Sequence, residues 1–180
     1  SIFVKIGIAG AIGIVVLILI APYRLSRITS FLNPWSDPLG SGFQMIQRLY
    51  AIGPGGLLGF GFLCSRQKHF YLPEPQTDFI FSIITEEFGF IGALVVISLF
   101  IILYYYITKL AIRCNDLFGK YLIFGLLFLL VFQTLLNLSV VVGLVPITGV
   151  TLPFISYGGS SLLVSMISIG IILNISDNIK

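Results

Sequence analysis

Thr77-Asp-Phe-Ile-Phe-Ser-Ile-Ile-Thr-Glu-Glu-Phe-Gly-Phe-Ile-Gly-Ala-Leu-Val-Val-Ile-Ser-Leu-Phe-Ile-Ile-Leu-Tyr-Tyr-Tyr-Ile-Thr108 decides the fold. From Phe79 to Thr108 the only charged side chains are Glu86 and Glu87, and the run exceeds the roughly 20 apolar residues a helix needs to cross the hydrocarbon layer. Backbone polar groups in lipid must be paired within a helix or a closed barrel, and the stretch lacks the alternating polarity of a barrel strand. It reads as a transmembrane helix. Ile2–Ala21, Lys120–Gly143 and Tyr157–Ile175 have the same character, and the composition of all 180 residues agrees, with mean hydropathy +1.08, 57% hydrophobic and 9% charged residues. A water-soluble core is excluded. The expected fold is an all-α integral membrane protein, a polytopic helical bundle with spans at 2–21, 79–108, 120–143 and 157–175 and a large loop at 22–78.

Lys5, Lys109, Arg113, Lys120 and Lys180 lie at one set of helix ends, which the positive-inside rule makes cytoplasmic. Residues 22–78 and 144–156 are then expected outside. Arg24, Arg27, Arg48, Arg66 and Lys68 run against the local charge bias, but long loops translocate largely regardless of charge. Reading Phe43–Leu63 as a further span would place Arg24 and Arg27 inside. Arg48, Pro54 and the glycines from Gly53 to Gly61 make a poor lipid-exposed helix, and a short interfacial or re-entrant piece fits better. The turn formers of Asn33-Pro-Trp-Ser-Asp-Pro-Leu-Gly-Ser-Gly42 predict an ordered outer loop. Ser1 is not a methionine and no basic leader or cleavage site precedes the first run, so the chain reads as a fragment.

Other classes find little support. The net charge of +3 comes from scattered Lys and Arg, not from a basic tract, so no nucleic-acid partner is expected. Cys64 and Cys114 fall in loops expected on opposite sides of the membrane and should not pair. A single His69 and no Cys-x-x-Cys spacing argue against a zinc or redox site.

Asp78 is the residue best placed for chemistry. At the start of its helix the positive end of the macrodipole favours the ionised carboxylate, which suits a base. The competing reading is a helix cap, worth about 0.5–2 kcal/mol, which Thr77 would serve equally well. At 100° per residue Ser82, Thr85 and Glu86 share a face with Asp78, while Glu87 points away. Glu86 and Glu87 lie roughly 12 Å further along by helix rise. Acids at that depth mark either function or pairing with a cation outside this chain. Arg48, Arg66 and Lys68 bring positive charge suited to phosphate oxygens, with contact to lipid headgroups as the alternative. Gln133 and Asn137, at i and i+4, read as interhelical packing bonds. Pro146-Ile-Thr-Gly-Val-Thr-Leu-Pro-Phe-Ile-Ser-Tyr-Gly-Gly-Ser-Ser161 breaks helix at or just above membrane depth, where irregular backbone needs protein or water beside it. The 3–4 spacing of Gly158, Ser161, Ser165 and Ser168 offers a small face for close packing, as do Gly7, Gly10 and Gly13 in the first run.

Asn33-Pro-Trp, Asp37-Pro-Leu-Gly-Ser-Gly42, Leu72-Pro-Glu-Pro-Gln-Thr-Asp-Phe-Ile-Phe81, Glu86-Glu87 and Leu152-Pro-Phe-Ile-Ser-Tyr-Gly-Gly-Ser-Ser161 together resemble the SEDS family of bacterial cell-wall proteins, which contains FtsW, RodA and SpoVE. The 146–154 pattern looks closer to the FtsW and SpoVE branch. The resemblance implies the C-terminal four spans of a ten-span fold. It also implies a peptidoglycan glycosyltransferase of the cytoplasmic membrane that polymerises lipid II on the outer face, in division, shape or spore-wall synthesis, beside a class B penicillin-binding protein. Asp78 would be the catalytic general base. Arg48, Arg66, Lys68, Thr77, Glu86, Ser156 and Ser160 are the expected substrate-binding residues, with room for a divalent cation, Mg²⁺ or Mn²⁺. Two departures stand out: Gly61-Phe-Leu-Cys-Ser65 replaces a Gly-Leu-Gly-x-Ser run, and Gln76 replaces a frequent His. A lipid II flippase and a scaffold recruiting the penicillin-binding protein are the competing functions.

Overall fold

The computed structural model describes residues 4, 7, 13, 22–40, 42–61 and 77–177, and among these the regular structure is entirely helical. Most of the expected first span, 2–21, lies outside the described residues. The chain divides into two compact units, 1–46 and 47–180.

In the first unit, α1 (Pro22–Leu32) starts on a proline, whose fixed φ and missing N–H suit the first helical position. This helix lies in what the sequence suggested was loop. A 3-10 turn, Pro34–Ser36, follows. Asp37 then closes a tight turn, its carboxylate accepting from Gly40 N–H at 3.1 Å and its carbonyl from Gly42 N–H at 3.0 Å. A Cβ on Gly42 would come 2.0 Å from the Pro34 carbonyl oxygen, so this turn requires glycine. The Asn33–Gly42 segment is an ordered turn, as expected. α2 (Phe43–Ile52) runs through the division between the units. At about 1.5 Å per residue it is far too short to cross a membrane.

In the second unit, α3 (Ile80–Arg113), α4 (Leu117–Val141) and α5 (Gly159–Asp177) are each long and apolar enough to span. They lie within a few residues of the predicted runs, and the protein is a multi-pass membrane protein. Only Cys114–Asp116 separates α3 from α4, a connection short enough to make them antiparallel neighbours. Asp116 caps α4 by accepting from Gly119 N–H at 2.7 Å. At this end Ile107 and Ala111 of α3 pack with Ile123 and Leu127 of α4 and Ile172 of α5. The buried free thiol of Cys114 joins them; Cys64 lies outside the described residues. At the opposite end Phe81, Ala93, Phe100, Val141 and Leu152 form a second cluster. Ser165 and Ser168 of the predicted small face are buried, each hydroxyl donating to a carbonyl one turn back on its own helix.

The largest departure from expectation is inside α3. Gly89 has φ 67° and ψ −160°, which no helix accommodates, so Ile80–Phe88 and the stretch from Phe90 onward are two helical segments. The break exposes backbone groups that must find partners elsewhere. They find them in the 3-10 turn Gly53–Gly55 and the turns that follow it. Phe60 N–H and Gly61 N–H donate to the Glu86 and Glu87 carbonyls at 3.0 Å each. Phe90 N–H and Ile91 N–H donate to the Gly56 and Leu57 carbonyls at 2.9 and 3.3 Å. The glycine-rich 53–61 segment is thus a backbone splint across the break. The portion from Phe90 to Arg113 is about 36 Å long by helix rise and crosses the hydrocarbon unaided. Glu86 and Glu87 therefore sit at the bend, not midway along a straight span.

Candidate functional site

Asp78 lies in the turn 77–79 that leads into α3, half-buried. The helix N-cap is Phe79, which makes no side-chain capping bond, so Asp78 stands one residue ahead of the cap. Two segments distant in sequence hold it. Asn137 of α4, fully buried, donates from Nδ2 to the Asp78 carbonyl at 3.0 Å and to the Val150 carbonyl at 2.7 Å. Gly149, with φ +72°, passes so near that a Cβ on it would lie 3.6 Å from Asp78 Oδ2. The carboxylate therefore faces the 144–158 loop at Gly149, whose positive φ favours glycine.

One turn earlier on α4, Gln133 Nε2 donates to the Thr151 carbonyl at 3.0 Å and to Ser161 Oγ at 3.2 Å, while Thr151 Oγ1 donates to Ser161 Oγ at 2.7 Å. Ser156 Oγ accepts from Leu152 N–H at 2.7 Å, closing the turn before α5. The polar pair expected to make interhelical bonds does so through Gln133 and Ser161 of α5, and it also fastens the 144–158 loop. An amide pair at i and i+4 on an otherwise apolar helix, followed by a loop broken by proline and glycine, is the sequence signal for it. Gln133→Leu should leave the Thr151 carbonyl unpaired and cost about 1–3 kcal/mol. Thermal unfolding in detergent would measure that loss.

Beside this turn opens a cavity of about 580 Å³, bordered by Ile80 and Ile83 of α3, Phe154 and Tyr157 of the loop, and Gly159 and Leu162 of α5. Phe154 holds φ 64°, a left-handed conformation costing a bulky residue roughly 1–2 kcal/mol. Phe154 lines both this cavity and a smaller apolar one along Val96–Leu103. Strain of this kind clusters at functional sites.

The other predicted residues fall in different places. Thr77 lies next to Asp78 in the same turn. Ser156 borders the cavity, and Ser160 is exposed on the first turn of α5. Glu86 is buried at the helix break, away from the cavity lining. Glu87, which the helical wheel turns away from Asp78, is buried as well, and the 53–61 segment bonds to the main chain of both acids. Glu87 Oε1 finds no hydrogen-bond partner among the described residues. Arg66 and Lys68 lie outside the described residues, as does the Arg48 side chain. No group of three or more His, Cys, Asp or Glu side chains meets among the described residues. Asp78 by itself offers one hard oxygen ligand.

Bacillus subtilis stage V sporulation protein E is 55% identical over 174 residues, covering 97% of this chain and 48% of that protein. A probable peptidoglycan glycosyltransferase FtsW from a Geobacter species is 47% identical over 97% of this chain and 47% of its own length. The chain spans about half the length of the curated relatives it matches. A solved structure concerned with coordination of polymerization and crosslinking by a peptidoglycan synthase complex superimposes with TM-score 0.73 at 32% identity, covering 99% of this chain and 48% of that one. The Thermus thermophilus Rod shape determining protein RodA, crystallised as a point mutant, gives 0.57 at 31% identity, covering 92% and 54%. The family model for FtsW, RodA and SpoVE, described as "Cell cycle protein", matches residues 1–180. The broken helix, the loop fastened over Asp78 and the sequence motifs thus sit in a shared framework, and this chain belongs to the FtsW/RodA/SpoVE family, the SEDS proteins, on its FtsW/SpoVE branch.

Proposed function

We propose that the whole protein carrying this chain is a peptidoglycan glycosyltransferase that polymerises lipid II at the outer face of the cytoplasmic membrane, with Asp78 as general base. The observation that carries the reading is the half-buried Asp78, its main-chain carbonyl held by Asn137, two residues before Ile80, which borders a cavity large enough for part of a lipid-linked sugar. The name of the FtsW relatives supports the reaction class.

Asp78 takes the proton of the GlcNAc 4-hydroxyl as that oxygen attacks C1 of the MurNAc at the end of the growing chain. The C1–O bond to the diphosphate breaks, undecaprenyl diphosphate leaves, and the configuration at C1 inverts. Arg48, Arg66 and Lys68 are the candidates for receiving the charge on the leaving diphosphate. A divalent cation here would be held chiefly by diphosphate oxygens, with Asp78 as the candidate protein carboxylate among the described residues, much as Mg²⁺ is shared between substrate and a few acids elsewhere. Ser156 borders the cavity, Thr77 adjoins Asp78 and Ser160 is exposed on the first turn of α5, and their hydroxyls suit hydrogen bonding to sugar. A class B penicillin-binding protein is the partner proposed, supported by likeness to a chain from a peptidoglycan synthase complex.

The flippase alternative needs Glu86 and Glu87 on a polar path, whereas both are packed beneath backbone at the Gly89 break. Purified whole protein supplied with lipid II in detergent separates the readings. Glycan product that depends on Asp78 supports the enzyme. Headgroup translocation in vesicles, with no polymer formed, would replace it with the transporter.

A further inference from the structure

We propose that Asn137 is a positioning residue for Asp78, locking the aspartate turn and the 144–158 loop into one unit. The inference rests on the general-base reading above. The Asn137 side chain is wholly buried and each amide hydrogen has its own acceptor, the Asp78 carbonyl and the Val150 carbonyl. Both neighbours are acceptors, so the nitrogen must face them. The other end of the amide, Oδ1, is buried without a hydrogen-bond partner among the described residues. A desolvated acceptor left unpaired is unfavourable, so what dictates this side chain's placement is its donor end.

The consequence for Asp78 is geometric. Its main chain hangs from Nδ2 on one side, while Gly149, the neighbour of Val150, faces its Oδ2. One amide therefore sets both the height of the base and the distance of the wall opposite it. Below, Gln133 fastens the same loop through Thr151, so the loop is held at two successive turns of α4, and Asn137 is the one of the two amides that also bonds the Asp78 main chain. A displacement of a reacting group by about 1 Å can lower a rate 10²-fold without abolishing binding.

Asn137→Leu in the whole protein keeps the count of side-chain heavy atoms and deletes both donors. Lipid II polymerisation should lose 10- to 100-fold in kcat with KM changed less than threefold, and amides at 78–79 and 149–151 should lose hydrogen-exchange protection together. Thr134→Val supplies the structural comparison. Thr134 is equally buried on α4, and its hydroxyl bonds to the Leu130 carbonyl and to Tyr104. That variant should lower the melting temperature yet keep kcat within twofold and leave exchange at 78–79 unchanged. If Asn137→Leu does not fold, Asn137→Ala, which cannot overpack, carries the same expectation. Wild-type kcat in the folded Asn137 variant overturns the proposal, as does an equal fall in kcat for Thr134→Val. Full polymerisation by Asp78→Ala would instead overturn the general-base reading on which it rests.

Discussion

Asp78→Asn in the whole protein should lower kcat for glycan polymerisation by roughly 10²–10⁴, the usual contribution of a positioned general base. The asparagine retains the size and the main-chain tie to Asn137, so the turn should stay in place and KM for lipid II should shift only slightly. What it lacks is a basic oxygen for the hydroxyl proton. Asp78→Glu is a sharper probe. It keeps the carboxylate but pushes it one methylene further, toward the close-lying Gly149 backbone, and should leave an intermediate rate. Steady-state polymerisation with equal amounts of folded protein measures all three. Activity of Asp78→Asn within a few-fold of wild type would remove Asp78 from the reaction.

Gly59→Ala should produce the largest loss of stability, about 3–5 kcal/mol, in the range reserved for strain plus a broken hydrogen-bond network. A Cβ there would meet the Glu87 carbonyl oxygen at 2.2 Å and Gly89 N at 2.6 Å, and the residue holds φ +73°. No rotation relieves a clash of backbone with backbone. The segment would have to lift, releasing the bonds from Phe60, Gly61, Phe90 and Ile91 that bridge the helix break. Gly89→Ala meets the same barrier from the other side, at 2.5 Å from both Gly59 N and the Leu57 carbonyl oxygen. Gly125→Ala is the contrast. It lies inside α4 with nothing within 4 Å among the described residues, and replacing a helical glycine there should be neutral or add up to about 1 kcal/mol. Melting temperatures in detergent would rank the three. Equal midpoints for Gly59→Ala and Gly125→Ala would mean that the splint does not hold the bend.

The spans were legible because α3, α4 and α5 are long apolar runs, and the bilayer makes length and polarity nearly sufficient. Asp78 was legible as an acid at a mouth for the same reason, and the motif around it pointed to the family. The role of Asn137 was not. Nothing local distinguishes an amide that bonds a neighbouring helix from one that bonds a loop. The break at Gly89 was equally hidden, since a glycine inside an apolar run is often accommodated in an unbroken helix. Its positive φ became visible only when Gly55, Gly59 and Gly89 were found with backbone pressed against backbone. The helical wheel could say that Glu87 points away from Asp78 but not that both acids would be buried at a break bridged by the 53–61 backbone.

The sequence by itself determined the membrane class, the extent of the described spans, the turn at Asn33–Gly42 and which acid stands at the mouth, because each depends on residues within a few turns of one another. Only the tertiary structure decided that the second span is broken and splinted, and that Asp78 is suspended from an amide 59 residues away. The physical reason is backbone hydrogen bonding. Once a helix is interrupted in a place with little water, its freed donors and acceptors must be met by whatever segment the fold brings there, and no local pattern names that segment.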